Sequence, residues 1–286
     1  MKTIYYLLTT SIILFCSCTQ QAKEEKEVTE ITVQKMYDII STARLTVSES
    51  KRLIAKGIAA NKEVQDRLKN GIVIITLGTT NTYIAEELAN LEAPRGSFVT
   101  GRIYPGWKED FAKGLKRQPE IVLIKGEVTD ISYTDALARM NANDIVLKGA
   151  NMVNYTKRQA AVCVGAPDGG TVGKLRKYTD QGKGRWIVPI GLEKETTQDL
   201  FEMQQLVNGS TRRDKGTVLL NATQGNIYTE IEAIKEFADV DVFVTAKGGI
   251  DGAEGGVSLI ICGNKQEVDK AKDIVKQVSG EPAFIK

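Results

Sequence analysis

The sequence predicts an α/β fold: a mostly parallel, Rossmann-like sheet flanked by helices, followed by a C-terminal α+β unit. Three observations carry this. Short, uniformly apolar runs recur as IVIITL at 72–77, IVLI at 121–124, DIVL at 144–147, AVCV at 161–164 and WIVPI at 186–190. They do not alternate, which is the pattern of strands buried on both faces of a parallel sheet. Helical stretches at 82–90, 107–116, 134–141 and 173–181 fall between them, and that alternation is the mark of a layered α/β domain. After residue 212 the theme changes to TVLLN at 217–221, a helix with Ile231, Ile234 and Phe237 on one face, VDVFVT at 240–245, GGVSLIICG at 255–263, and a last helix presenting Val268, Ala271, Ile274, Val275 and Val278. That order fits either a ferredoxin-like unit or extra strands for the main sheet.

The chain opens MKTIYYLLTTSIILFCSC, with Lys2 before an apolar stretch from Ile4 to Phe15 and Ser17-Cys18 at its close. So short a stretch does not span a bilayer as a helix, and it reads as a secretory signal over 1–17. Ending on a cysteine, it resembles a bacterial lipoprotein signal. The resemblance implies lipid on Cys18, a mature chain that starts there, and a body held at a membrane in the cell envelope. Phe15 and Cys16 depart from the aliphatic and small residues usual at their positions, and an ordinary signal peptide or an uncleaved anchor is the alternative. Residues 18–30, polar and without aromatics, read as a tether.

The α/β domain is expected over 31–211 and the C-terminal unit over 212–286. Val33, Met36, Ile39 and Ile40 fall at helical spacing. Thr46 and Glu49 have capping-box spacing ahead of Leu53, Ile54 and Ile58, which predicts a helix over about 47–60. A second short helix is expected over 61–69, stopped by Asn70-Gly71.

With 42% hydrophobic residues, the chain can bury a substantial core. Lys and Arg number 38 against 36 Asp and Glu, a net charge of +2, so there is no basic excess of the kind a nucleic-acid surface needs. Histidine is absent, which excludes Ser-His and Cys-His nucleophile pairs and His-based zinc sites; no metal site is expected. Acid-base chemistry falls to Asp, Glu, Lys, Tyr or Cys. Cys163 and Cys262 lie in apolar strand-like runs and read as buried thiols, with a disulfide between them as the alternative.

Three glycine-containing turns stand out. In LGTTNTYIAEEL (77–88), Gly78 allows a sharp turn, and Thr79, Thr80 and Asn81 stand beside free N–H groups at a helix start. That suits a phosphate or carboxylate, although a plain capped helix needs the same residues. In GAPDGGTVGK (165–174), Gly169 and Gly170 permit close approach to a ligand and Thr171 can cap the next helix. Leu175 after Lys174 rules out a Walker A loop. In AKGGIDGAEGG (246–256), Lys247, Asp251 and Glu254 can handle protons, or the loop is a flexible link between two strands. Lys148 and Asn151 in KGANMVN, and Glu193 and Lys194 in VPIGLEKE, emerge where strands end, the edge at which ligands bind in parallel sheets. Arg102 and two aromatics in GRIYPGW suit a rim.

The GTTN turn at 78–81 and DIVLKGAN at 144–151 resemble motifs of the superfamily of ribose-5-phosphate isomerase A, glucosamine-6-phosphate deaminase and the CoA transferases. The resemblance covers about 45–195 and implies an anion turn at 78–81. It departs at Asn151, where many members carry an acid. Their acidic DGADE-type motif is echoed only by DGAEG at 251–255, late in the chain, and the CoA-transferase glutamate motif is not evident. Three functions follow: a lipoprotein binding a small anionic or polar ligand at the strand C-termini; an isomerase- or transferase-like enzyme drawing on Lys148, Glu193, Lys247, Asp251 or Glu254; or an assembly lipoprotein with no ligand site.

Overall fold

A computed structural model describes residues 37–285 apart from 213 and 215. The expected signal, lipidation site at Cys18 and tether, with Val33 and Met36, fall outside the described residues. The structure is α/β, with a six-stranded mixed sheet, two three-stranded antiparallel sheets and eight helices among the described residues.

The first described strand corrects an expectation. Helical spacing over 31–45 gives way, over the described part, to β1 (Ile39–Leu45). Alternation is the reason: Ala43 and Leu45 are buried while Ile40, Thr42 and Arg44 face solvent, a period of two that the apolar Ile39-Ile40 pair disguises. Helix α1 (Val47–Ala60) starts at the expected capping box: Thr46 N–H donates to Glu49 Oε2 at 2.7 Å and Glu49 N–H to Thr46 Oγ1 at 3.3 Å. Asn61 caps α2 (Lys62–Asn70).

The main sheet follows as β2 (Ile72–Ile75), β3 (Ile121–Ile124), β4 (Glu127–Thr129), β5 (Ile145–Leu147), β8 (Arg185–Pro189) and β10 (Ile227–Tyr228), in the order β10-β8-β5-β2-β3-β4. β10, β8, β5 and β2 run parallel, and β3 and β4 complete the sheet antiparallel. The central parallel strands feed two cores. Val73 and Ile75, Ile145 and Leu147, and Ile187 join the core that also holds Leu53, Ile58 and Ile84. Ile72 and Ile74, Val146, and Trp186 and Val188 join the opposite core with Leu137 and Leu175. Uniformly apolar strands are the result of apolar cover on both sides.

The first core is covered by α1, by α3 (Thr79–Ala89) and by α7 (Glu230–Lys235). α1 and α7 approach closely at Gly57, where a Cβ would lie 2.6 Å from Ala233 Cα and 2.7 Å from its Cβ. The second core is covered by α4 (Tyr133–Arg139) and α5 (Gly170–Thr179).

AVCV does not join the parallel sheet. It lies in β7 (Gln159–Val164), the centre of an antiparallel sheet between β6 (Met152–Asn154) and β9 (Leu219–Gln224). Asn154 pairs with Gln159 across a four-residue turn, and so short a link makes a hairpin, since a parallel crossover needs a dozen residues or more. α6 (Leu200–Gly209) packs on this sheet. The helix expected over 107–116 does not form; the segment is a series of turns. Pro105 and Gly106 precede it, Gly114 sits at φ +81°, a left-handed conformation outside the helical region, and Trp107 is 82% exposed, so no apolar stripe faces the core.

Among strands after residue 212, β9 pairs with β7 and β10 with β8, while β11 (Asp241–Lys247) and β12 (Val257–Gly263) form a sheet with β1 in the order β1-β12-β11. α8 (Lys265–Val278) packs on that sheet.

Candidate functional site

β2, β5 and β8 run in one direction, so the turns that leave them gather at one edge of the sheet. From β2 the chain passes Thr76 and Leu77 to Gly78 and into α3. Gly78 has φ 170° and ψ 159°, extended backbone that any residue adopts. The sharp turn expected there does not need a glycine. What glycine supplies is space: a Cβ would meet nothing closer than Asn81 Cβ at 3.8 Å.

No side chain caps α3, and no described residue accepts from the N–H groups of Thr79, Thr80 and Asn81. These donors, with the positive end of the helix dipole, face a cleft of about 330 Å³ lined by Gly78–Asn81, Lys51, Arg102, Lys148–Asn151, Lys194 and Phe284, among others. Asn81, 1% exposed, has a structural task as well. Its Nδ2 donates to Thr76 O at 2.7 Å and Leu147 O at 2.9 Å, pinning α3 across β2 and β5. Its Oδ1 is buried without a partner.

Lys148 leaves the end of β5. Its backbone is fixed by a bond from its N–H to Ile187 O and by Trp186 Nε1 donating to its carbonyl at 2.8 Å. Its ammonium forms no hydrogen bond or ion pair among the described residues; burial, and then the nearby Lys194 charge, bring its pKa down to about 8. Asn151 spends its Oδ1 on Cys163 N–H at 2.9 Å, tying the turn after β5 to β7.

A second cleft of about 460 Å³ adjoins the first, sharing Thr100, Gly101, Lys148 and Asn151 and adding Gly169, Gly170, Thr171, Lys174 and Cys163. Gly169 sits at φ +80° and a Cβ there would lie 2.9 Å from Gly173 Cα, so this turn does require glycine. Thr171 is not the cap of α5, because it already lies within the first turn; Asp168 Oδ1 takes the Gly170 N–H at 2.9 Å instead. The turns at 78–81 and 148–151 thus line the first cleft, and the turn at 169–171, which follows β7 of the antiparallel sheet, lines the cleft adjoining it.

The loop at 246–256 does not join them. It links β11 to β12, closed by Gly248 N–H to Gly256 O. Lys247 pairs with Glu195, Glu254 accepts from its own loop at Gly252 N–H, and Asp251 and Glu254 are exposed. None of the three lines either cleft.

Glu193 is close by, on a short 3-10 turn, Leu192–Lys194, that follows β8. Its Oε2 is buried without a hydrogen-bond partner. Lys194 Nζ donates to Ala150 O at 3.1 Å. Around them stand two groups that sequence reading passed over. Lys51, on α1, is only 8% exposed, and no described residue makes a hydrogen bond or ion pair with its ammonium. Burial lowers its pKa to about 8, against the opposing pull of the Glu193 charge. Glu230 opens α7, fully buried, and accepts Leu192 N–H at 3.0 and 3.2 Å. Burial first, then Glu193, raises its pKa to about 7. Both residues carried a signal. Lys51 is in register with Ile54, Ala55 and Ile58, and Glu230 with Ala233, Ile234 and Phe237: charged residues on apolar stripes.

Cys163 and Cys262 are free thiols, each held above the usual thiol pKa by burial. Among the described residues no cluster of His, Cys, Asp or Glu has a metal-binding arrangement, and no helix is long and apolar enough to cross a membrane. No family model, curated protein or solved structure matches this chain.

Proposed function

We propose that this protein is a lipoprotein, anchored in the bacterial cell envelope through Cys18, whose α/β body binds a small anionic ligand at the C-terminal edge of the parallel strands. The observation that carries the proposal is two unpaired ammonium groups, Lys51 and Lys148, in the same cleft as three unclaimed N–H groups of α3. Positive charge held in a cleft with no ion-pair partner in contact is unfavourable, and an arriving phosphate or carboxylate supplies one. A purely structural lipoprotein needs this edge filled by large side chains; Gly78, Gly101 and Gly149 line it instead. The main sheet is read as Rossmann-like, with the likeness to the isomerase, deaminase and CoA-transferase superfamily supporting an anion site at 78–81. The β1-β12-β11 layer with α8 is read as ferredoxin-like, with its third strand drawn from the start of the body.

Titration calorimetry with inorganic phosphate and with small carboxylates tests the binding. Lys148→Met and Lys51→Met should each weaken it at least tenfold while the fold persists; unchanged affinity in both variants removes the site from this edge. Cys18→Ser should release the protein from the membrane fraction, and retention there would refute the lipid anchor.

One observation favours a second reading, an isomerase- or transferase-like enzyme. Lys51 and Lys148, with pKa values near 8, line one cleft, and the Glu193 carboxylate acts on Lys51 from beside it. Groups poised near neutrality suit proton transfer. Turnover of any bound carbonyl compound, abolished in Lys148→Met, would establish it.

A further inference from the structure

A third concavity, of about 680 Å³, lies against the first cleft. Its lining is different in kind: Val47, Tyr104, Pro105, Phe111, Phe284 and Ile285 give it an apolar wall. Lys51, Phe111 and Phe284 line both spaces, so the apolar groove and the donor-rich cleft meet at one buried ammonium and two aromatic rings. The groove lies within the roughly 300–1,000 Å³ typical of small-molecule sites.

The wall between the two spaces is held in place. Phe284 belongs to the segment after α8, which is tied down by Glu281: Arg52 Nε donates to it at 2.9 Å, and Arg95 approaches it at 3.4 Å. Phe284 then packs on Tyr83, with ring centroids 5.9 Å apart, and under the Arg95 guanidinium. The charges around the groove are already engaged. Glu281 has its two arginines, Glu109 pairs with Lys113, and Lys108 lies over the Trp107 ring at 5.3 Å. That leaves Lys51, at the inner end, as the charge with no hydrogen-bond or ion-pair partner in contact, the Glu193 carboxylate acting on it only from further off.

We propose that the ligand is an amphipathic anion, with its charged head under the first turn of α3 beside Lys51 and an unbranched apolar tail of several carbons in the groove. This rests on the anion-binding reading above and narrows it to a ligand class. A purely apolar occupant would bury the Lys51 ammonium more deeply with no partner in contact, which is costly. A small hydrophilic anion would leave the apolar wall wet. One molecule with both parts satisfies the two spaces across their shared wall.

The test is calorimetry on the full chain with two homologous series, n-alkyl phosphates and n-alkyl carboxylates, from two to ten carbons. Affinity should climb roughly threefold to fourfold per added methylene in at least one series until the groove is filled. Ala283→Trp, at an exposed position on the groove wall, should flatten that climb. A flat series whose shortest members still bind overturns the tail groove and leaves the anion site standing. A climb that Ala283→Trp does not alter also overturns it, because the tail then lies elsewhere. Binding by no member of either series overturns this inference and the anion site together.

Discussion

Replacing Lys51 by methionine keeps most of the aliphatic stem that packs in α1 and removes the buried charge. The gap between 10.5 and about 8, at about 1.4 kcal/mol per pH unit, puts the cost of holding that charge in the empty site at no more than roughly 3 kcal/mol. Relaxation and water entering from the cleft reduce this, so the Lys51→Met protein should be more stable than the wild type by about 1–2 kcal/mol at pH 7 without ligand. The pKa is lower in the folded state, so the unfolded chain holds more protons between pH 8 and 10.5, and wild-type stability rises across that window. The advantage of the variant should therefore be complete below about pH 8 and gone by about pH 10.5. Urea denaturation at several pH values spanning that window measures it. Adding phosphate at neutral pH should reverse the ranking, since binding stabilises only the protein that keeps its lysine. A Lys51→Met protein less stable than the wild type at neutral pH, or a difference constant across the window, refutes the reasoning.

Glu230→Gln gives a complementary signature. With the folded pKa raised to about 7 from 4.5, the folded state keeps a proton that the unfolded chain releases, so wild-type stability falls from pH 4.5 to 7. The variant should match the wild type near pH ~4 and exceed it by up to roughly 3 kcal/mol at pH ~8, as followed by thermal denaturation. Asn81→Ala leaves the Thr76 carbonyl short of a buried donor, while Leu147 O keeps the Thr76 N–H and Oγ1, and should cost about 1–3 kcal/mol in urea denaturation. Gly57→Ala, a stabilising change in an ordinary helix by about 0.5–1 kcal/mol, should here cost about 1–3 kcal/mol, because the new methyl meets α7.

What the sequence discloses is local. The Thr46–Glu49 box, the strand-turn-helix over 72–89 and the exit of Lys148 from its strand each depend on residues within about a turn of one another, and each is where the residue pattern puts it. The turns at 78–81 and 148–151 share an edge because parallel strands all end on one side, whereas the turn at 169–171 reaches them from β7 of the antiparallel sheet. Lys51 and Glu230 escape such reading because they meet only through the packing of α1 on α7 and the turn after β8. AVCV has the composition of a two-sided strand, yet a four-residue link decides its partner. Gly78 reads as a bend and is an opening. Lys247, Asp251 and Glu254 are the right residue types for proton transfer, but a β-hairpin holds them away from the clefts.

The pairing of β1 with β12 constrains the order in which the molecule can be assembled. Ile39 stands opposite Gly263 and Leu45 opposite Val257, so the first described strand finds its only ladder partner among the described residues more than two hundred positions downstream. β12 is also the middle strand. A nascent chain that has not reached it holds two outer strands with nothing between them and lacks Val257, Leu259 and Ile261 from the larger core. Contacts of such sequence separation form late and slowly. The body therefore stays open along this side, with β1 an unpaired edge, until β12 has been made.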